Sequence, residues 1–282
     1  VQIDYVYGTD EFHITRPGAI VLSGMAGDMA PDFRLNSEFA GEVAKVMAYS
    51  IGTRTLELPL AIVAKSMMAR RLLVNDLLAY LATYPGGYLR FTDNDGVARE
   101  LRDVYLQDGA EDDGVDGLED VPGAQFVLSF SVSDPFWYEI TDTTQTFQLA
   151  ASTGTFFPIF PLRLTASAVL QRKTVNNPGY TVWPIITVSG PASDIVLKNF
   201  TTGKELALLP TLSLSLGDTL VIDTRPLYKT VEKNGVNAFA YFNRSSEFWP
   251  LITGDNDISC MMGNSDANTQ VDFVYAERYL AR

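Results

Sequence analysis

The chain has 282 residues, 46% of them hydrophobic and 20% charged, with a formal net charge of −13. That length fits one large domain or two ordinary ones, and that composition excludes a disordered chain. A single cysteine, Cys260, and a single histidine, His13, exclude an intrachain disulfide framework and leave too few ligands for a Cys/His zinc site.

In chain order, Val1 to Leu22 reads as extended, with a turn at Arg16-Pro17-Gly18. Val1 to Tyr5 lacks the basic and apolar regions of a secretory signal, so none is expected. A glycine-containing loop follows from Ser23 to Pro31, and Thr53 to Leu60 alternates as a strand should. Ser66 to Tyr84 is the one long helix expected. Leu73, Leu77, Tyr80, Leu81 and Tyr84 recur at three- and four-residue spacing, Ser66 suits the N-cap, and Pro85-Gly86-Gly87 ends the run. Tyr88 to Thr92, the turn Asp93-Asn94-Asp95-Gly96 and Val97 to Leu106 then form a hairpin.

Gln107 to Gly123 stands apart as an acidic, glycine-containing loop that holds Asp108, Glu111, Asp112, Asp113, Asp116, Glu119 and Asp120. Calcium-loop spacing fails there: counting from Asp108 puts Ala110 at the third position, and counting from Asp112 puts Gly114 there. The expected reading is a solvated loop between two strands. An alternating strand, with Phe126, Leu128, Phe130 and Val132 on one face, closes the N-terminal half at Asp134-Pro135-Phe136-Trp137-Tyr138.

After the polar stretch Thr141 to Thr155, only short strands are expected. They are Trp183–Val188, Ile195–Asn199, Leu212–Leu216, Thr219–Asp223, Lys229–Lys233, Ala238–Phe242, Ile258–Met262 and Val271–Arg278, with turn residues between them. That punctuation indicates a two-sheet sandwich. Cys260 alternates with Ile258 and Met262 and is expected in its core.

Charge divides the chain in the same place. Residues 1–150 hold 23 acidic and 10 basic side chains, whereas residues 151–282 hold 11 of each. The acidic half lacks the basic footprint that nucleic-acid binding requires. A negative wall repels DNA, which suits a channel that DNA passes through without sticking. No run reaches the ~18 apolar residues that span a bilayer, so no membrane segment is expected.

Catalytic readings find little to stand on. A Ser-His-Asp arrangement would have to use His13, and no G-x-S-x-G elbow or phosphate-cradling glycine loop is present. The acidic loop offers carboxylates without the fixed separation and burial that glycoside hydrolysis needs. No catalytic residue, metal site or cofactor is expected. Trp183, Phe248 and Trp249 are candidates for a sugar-binding platform, but core or edge roles suit them better.

Several segments, taken in order, carry a family resemblance. They are Asp134-Pro135-Phe136-Trp137-Tyr138, Asn177-Pro178-Gly179, Pro184-Ile185-Ile186-Thr187-Val188-Ser189-Gly190, Asn199-Phe200-Thr201-Thr202-Gly203-Lys204, Leu216-Gly217-Asp218-Thr219-Leu220-Val221-Ile222-Asp223-Thr224 and Gly254-Asp255-Asn256-Asp257-Ile258. None is specific alone, but in this order they resemble the distal tail protein family of siphovirus-type phages.

The resemblance implies a mainly β protein in two parts. Residues 1–145 would be a ring-forming, tail-tube-like domain with one helix, and residues 155–282 a galectin-like antiparallel β-sandwich. It further implies a homo-hexameric ring at the distal end of the virion's tail. That ring would join the tail tube protein to the tail-tip hub protein, pass DNA through its lumen, and scaffold receptor-binding or other peripheral tail proteins. Phe136, Trp137 and Tyr138 are expected to pack between the domains. The acidic loop is expected to line the lumen or touch a neighbouring ring. A paralogous minor tail protein at another tip position and a carbohydrate-binding module are the alternative readings.

Overall fold

The structure is a computed structural model, and it describes residues 1–16, 20–22, 33–40, 43–112, 123–148 and 168–281. The chain divides into two compact units. The first comprises Val1–Ile140 together with Arg278–Arg282, and the second is Thr141–Glu277. The division therefore differs in two places from the 1–145 and 155–282 expected. Thr143 to Gln148 belongs to the second unit, and the residues after Glu277 return to the first.

The first unit opens with β1 (Gln2–Tyr7), β2 (Asp10–His13), β3 (Ile20–Leu22), β4 (Phe33–Ala40), β5 (Val43–Ile51) and β6 (Arg54–Val63). Helix α1 (Met67–Thr83) follows, then β7 (Gly87–Thr92), β8 (Ala98–Asp112), β9 (Gly123–Val132) and β10 (Trp137–Glu139). An antiparallel sheet runs β2-β1-β7-β8-β9-β6-β3, with β10 branching from β8. β4 and β5 pair with each other and, among the described residues, with no other strand.

The helix forms where its residues ask for it. The Ser66 hydroxyl accepts from the Ala69 N–H at 3.2 Å, and Leu77 and Leu81 are buried against the sheet. Leu73, Tyr80 and Tyr84 flank them. Burying each leucine contributes about 1.5–3 kcal/mol, so these two anchor an element whose propensity alone would leave it marginal. The helix exit is locked by Tyr5, whose hydroxyl donates to the Tyr84 carbonyl at 2.6 Å and accepts from the Gly87 N–H at 2.9 Å. A Cβ on Gly87 would lie 2.6 Å from the Val6 carbonyl oxygen and 2.7 Å from the Tyr5 ring, so only glycine lets the chain pass there.

β8 corrects the expected loop. The strand does not stop at Leu106 but continues through Asp112, with Asp108 opposite Ser129, Glu111 opposite Val127 and Asp112 opposite Phe126. Irregularities on either side of Asp108 let the longer strand keep step with β9.

The second unit contains β11 (Thr143–Gln148), β12 (Ala168–Asn177), β13 (Ile185–Ser189), β14 (Ala192–Asn199), β15 (Lys204–Ala207) and β16 (Ser213–Leu214). β17 (Thr219–Asp223), β18 (Thr230–Lys233), β19 (Val236–Asn237), β20 (Gly254–Gly263) and β21 (Gln270–Tyr275) complete it. One sheet runs β11-β21-β13-β17-β18-β19. The other runs β12-β20-β14-β15, with β16 on β14. Both contribute alternate residues to one core, including Phe147, Ile186, Ile222 and Phe273 from the first sheet and Leu197, Ile258 and Cys260 from the second. This is the sandwich expected. Cys260 lies in its core as expected, and burial pushes its thiol well above the usual range.

Three sequence expectations change. Ala238 to Phe242 is a 3₁₀ turn at Phe239–Tyr241, where Phe239 and Phe242 stack 5.5 Å apart, and not a strand. β11 and β12 were not anticipated. The expected strand Val271–Arg278 ends at Tyr275, and Arg278–Tyr279 forms a separate strand, β22, in the first unit.

Acid sensitivity of the second unit follows from its turns. Asp218 accepts from the Ser215 N–H at 2.9 Å and the Asn234 amide at 2.8 Å, and pairs with Lys233 at 2.9 Å. Those bonds, led by the Ser215 N–H, hold its carboxyl far below the usual range. A depressed folded-state pKa adds stability that is fully present above the unfolded value, near pH 4, and drains away as pH falls below it. Asp218→Asn should therefore flatten the acid-side fall in the second unit's melting temperature between about pH 2 and 5. Thermal melts across that range check this, and equal slopes for both proteins would refute it.

Candidate functional site: a charged sheet face, an aromatic closure and buried asparagines

The first unit's sheet carries its chemistry on the face away from the core. On β1, Ile3 and Tyr5 enter the core and Asp4 lies between them on the other face. Strand register places Asp4 opposite both His13 and Arg90, Arg90 opposite Glu100, Glu100 opposite Tyr138, and Tyr138 opposite Arg278. One row thus crosses six strands.

Its side chains are joined. His13 Nδ1 donates to Asp4 Oδ1 at 2.7 Å, and Gln2 donates to Asp4 Oδ2 at 2.8 Å. Arg90 reaches Glu11 at 3.4 Å and Glu100 at 3.7 Å, and Arg102 bonds Glu100 at 2.9 Å. The Arg102 guanidinium also lies 4.2 Å over the Tyr138 ring. Asp4 and Glu100 are buried, which a carboxylate tolerates only with such partners. The ligand atoms of Asp4, Glu11 and His13 come within 4.8 Å of one another, but all three are engaged by the protein itself.

The closing aromatic run falls within the first unit. Trp137 is 1% exposed and sits in that unit's core, edge-on to Phe91 at 5.1 Å and with the Arg54 guanidinium 5.7 Å over its ring. Phe136 is buried beneath Arg278, whose guanidinium lies 4.1 Å from the ring. Tyr138 donates to Asp134 Oδ2 at 2.7 Å, and burial together with that carboxylate pushes its hydroxyl up to about 12. Of the acidic segment, Asp108 is exposed. Glu111 and Asp112 have strand backbone, and Asp113, Asp116, Glu119 and Asp120 lie outside the described residues.

Three residues of the recognised motifs prove to be buried anchors that periodicity could not reveal. Asn177, Asn199 and Asn256 are all fully buried. Asn256 Oδ1 accepts from Asn199 Nδ2 at 3.1 Å and from the Ile252 N–H at 3.0 Å. Its Nδ2 donates to the Ile252 and Gly254 carbonyls at 2.9 and 3.0 Å. Asn177 Nδ2 donates to the Tyr180 carbonyl at 3.0 Å and lies 3.3 Å from the Leu251 carbonyl. Asn199 Oδ1 accepts from the Thr201 and Thr202 N–H groups. Trp249 is fully buried and Phe248 packs on the same core, so neither offers the open ring face of a sugar platform; Trp183 is half-buried.

These observations define a mainly antiparallel β protein of two units, the second a two-sheet sandwich whose turns are pinned by buried asparagines. Residues 179–279 match the family model described as the C-terminal domain of the siphovirus-type tail component. The whole chain is similar in fold to the crystal structure of SPP1 Dit, described as a paradigm of the hub adsorption apparatus in phages that infect Gram-positive bacteria. The TM-score is 0.69 at 13% identity, over 98% of each chain. Chains in the activated phage p2 baseplate, with strontium and with calcium, match at TM-scores of 0.48 and 0.47, with 11% and 12% identity over 97% of each chain. No curated protein sequence matches. The resemblance to distal tail proteins read from the motifs thus holds for the family match of the second unit and for the fold of the whole.

Proposed function

We propose that this chain is a structural component of a phage tail tip. Six copies form a ring at the distal end of the virion's tail. The ring joins the tail tube to the hub, lets DNA through its lumen and scaffolds peripheral receptor-binding proteins. The observation that carries this reading is the fold shared with SPP1 Dit along nearly the full length of both chains, together with the tail-component match of the second unit. The role is structural and not catalytic.

Two features of the first unit support ring formation by that unit. β4 and β5 form a two-stranded antiparallel ribbon that, among the described residues, pairs with no other strand. A lone two-stranded ribbon is marginal in water, so it calls for a partner surface. Helix α1 exposes Met68 and Leu72, one turn apart. A heterologous contact between identical copies uses one such surface from each, and it closes into a ring when the rotation divides a full turn. The acidic bias of residues 1–150 suits a lumen that must not hold DNA.

Light scattering on the purified chain across concentration and salt should give a discrete species of about six subunits. Met68→Glu with Leu72→Glu should shift it toward monomer while thermal stability stays within about 1 kcal/mol, since both side chains are exposed. A wild-type monomer at every concentration that also fails to join tails in complementation would overturn the reading.

A further inference from the structure

After Glu277 the chain re-enters the first unit, and what it does there is out of proportion to its length. In β22 (Arg278–Tyr279), Tyr279 pairs with Trp137 and Arg278 with Tyr138, which covers an edge of β10 that would otherwise be open. Arg278 stacks on Phe136 and completes the charged row across the sheet. Arg99 of β8 lies 4.4 Å over the Tyr279 ring, donates to the Ala281 carbonyl at 3.4 Å and bonds Glu139 at 3.1 Å.

The most telling contact is that of Arg54. This residue opens β6, is 1% exposed, and has its guanidinium against Trp137 in the unit's core. A guanidinium so placed needs acceptors, because water cannot reach it. Its Nη2 donates to the Leu280 carbonyl, across 226 positions of sequence.

We infer that residues 278–281 are a strap that finishes the first unit, so that completion of that unit waits on chain made after the second unit. The contacts of the strap with Arg54, Arg99, Trp137 and Phe136 each close a loop that includes all of the second unit, Thr141–Glu277. Contacts of such separation form last, and synthesis runs from the N-terminus. A chain interrupted within the second unit therefore has a first unit with an uncovered β10 edge and a buried guanidinium that lacks one acceptor. If the first unit is the ring-forming part, which rests on the reading proposed above, the strap keeps incomplete chains out of the ring.

Peptide-resolved hydrogen exchange on two variants tests this. One is truncated after Glu277, and the other is full-length with Arg278→Ala and Tyr279→Ala. In both, amides of Arg54–Leu56, Arg99–Leu101 and Trp137–Glu139 should exchange about tenfold faster or more, whereas those of β13, β17 and β21 keep wild-type protection. If the truncated chain does not fold at all, the full-length variant decides. Unchanged exchange in the full-length variant, or equal losses in both units, overturns the strap. The wild-type mass measurement stands apart: a monomeric wild type with the predicted exchange pattern removes the ring and keeps the strap, and a hexamer without that pattern does the reverse.

Discussion

Trp137→Ala is expected to destabilise the first unit by about 3–5 kcal/mol, a large share of the roughly 5–15 kcal/mol that holds an ordinary domain folded. The side chain is among the largest of the fully buried ones, and three different kinds of contact converge on it. Its backbone pairs with Leu101 on one side and Tyr279 on the other, its ring meets Phe91 edge-on, and the Arg54 guanidinium lies over its face. Removing the indole opens a cavity and also leaves Arg54 without that aromatic partner. Trp137→Phe keeps an aromatic face and most of the volume, so it should cost less than half as much. Urea titration followed by hydrogen exchange in β6 and β8 checks both variants. A loss below about 1 kcal/mol for the alanine variant would mean that the core closes over the gap, and that the tryptophan is not the keystone this packing makes it.

Local signals in the sequence carried a good part of this fold. The helix was legible because Ser66, the leucine spacing and Pro85-Gly86-Gly87 all agree, and the observed helix, Met67–Thr83, lies just inside them. β17 was legible to the residue, because alternation and the turn at Gly217-Asp218 coincide there. β11 and β12 were not legible, because their pattern is mostly polar. Of Thr143–Gln148 only Phe147 is buried, and the strand exists because β21, far along the chain, supplies its partner. The acidic segment misled for a similar reason. Asp108, Glu111 and Asp112 read as loop by composition, yet β9 holds them in a ladder. Conversely Phe239, Tyr241 and Phe242 read as strand by composition, but β18 pairs there only with the two-residue β19, and the aromatic rings stack instead.

The candidate site was less legible than the fold, since its residues are joined by register and not by spacing. His13, Asp4, Arg90, Glu100, Tyr138 and Arg278 are scattered over the whole chain and become one row only when six strands align. The units divide at Ile140, just after Phe136, Trp137 and Tyr138. What the sequence did not show is that the far end of the chain returns to the same place. A two-residue strand has no periodicity to detect, and its partners lie more than a hundred residues away.

Asn256→Ala should cost the second unit about 2–4 kcal/mol, more than a surface asparagine and as much as a core leucine. The size follows from what is left behind. Its amide closes a ring of bonds with Asn199, the Ile252 N–H and the Ile252 and Gly254 carbonyls, all in a region that water does not reach. Truncation strands several of these groups together, and each buried orphan costs about 1–3 kcal/mol before any relaxation. Asn256→Asp fits the same space but offers an acceptor where two carbonyls need a donor, and it adds a buried charge, so it should be no milder. Asn199→Ala tests the coupling. In a double-mutant cycle by urea denaturation, the two losses should fall short of additivity by more than about 0.5 kcal/mol, because the second substitution removes a partner already lost. Strict additivity would mean that each asparagine serves only its own turn. The motifs around Asn199 and Asn256 would then be two independent devices, and not the single polar knot that joins the Asn199–Thr202 turn to the start of β20.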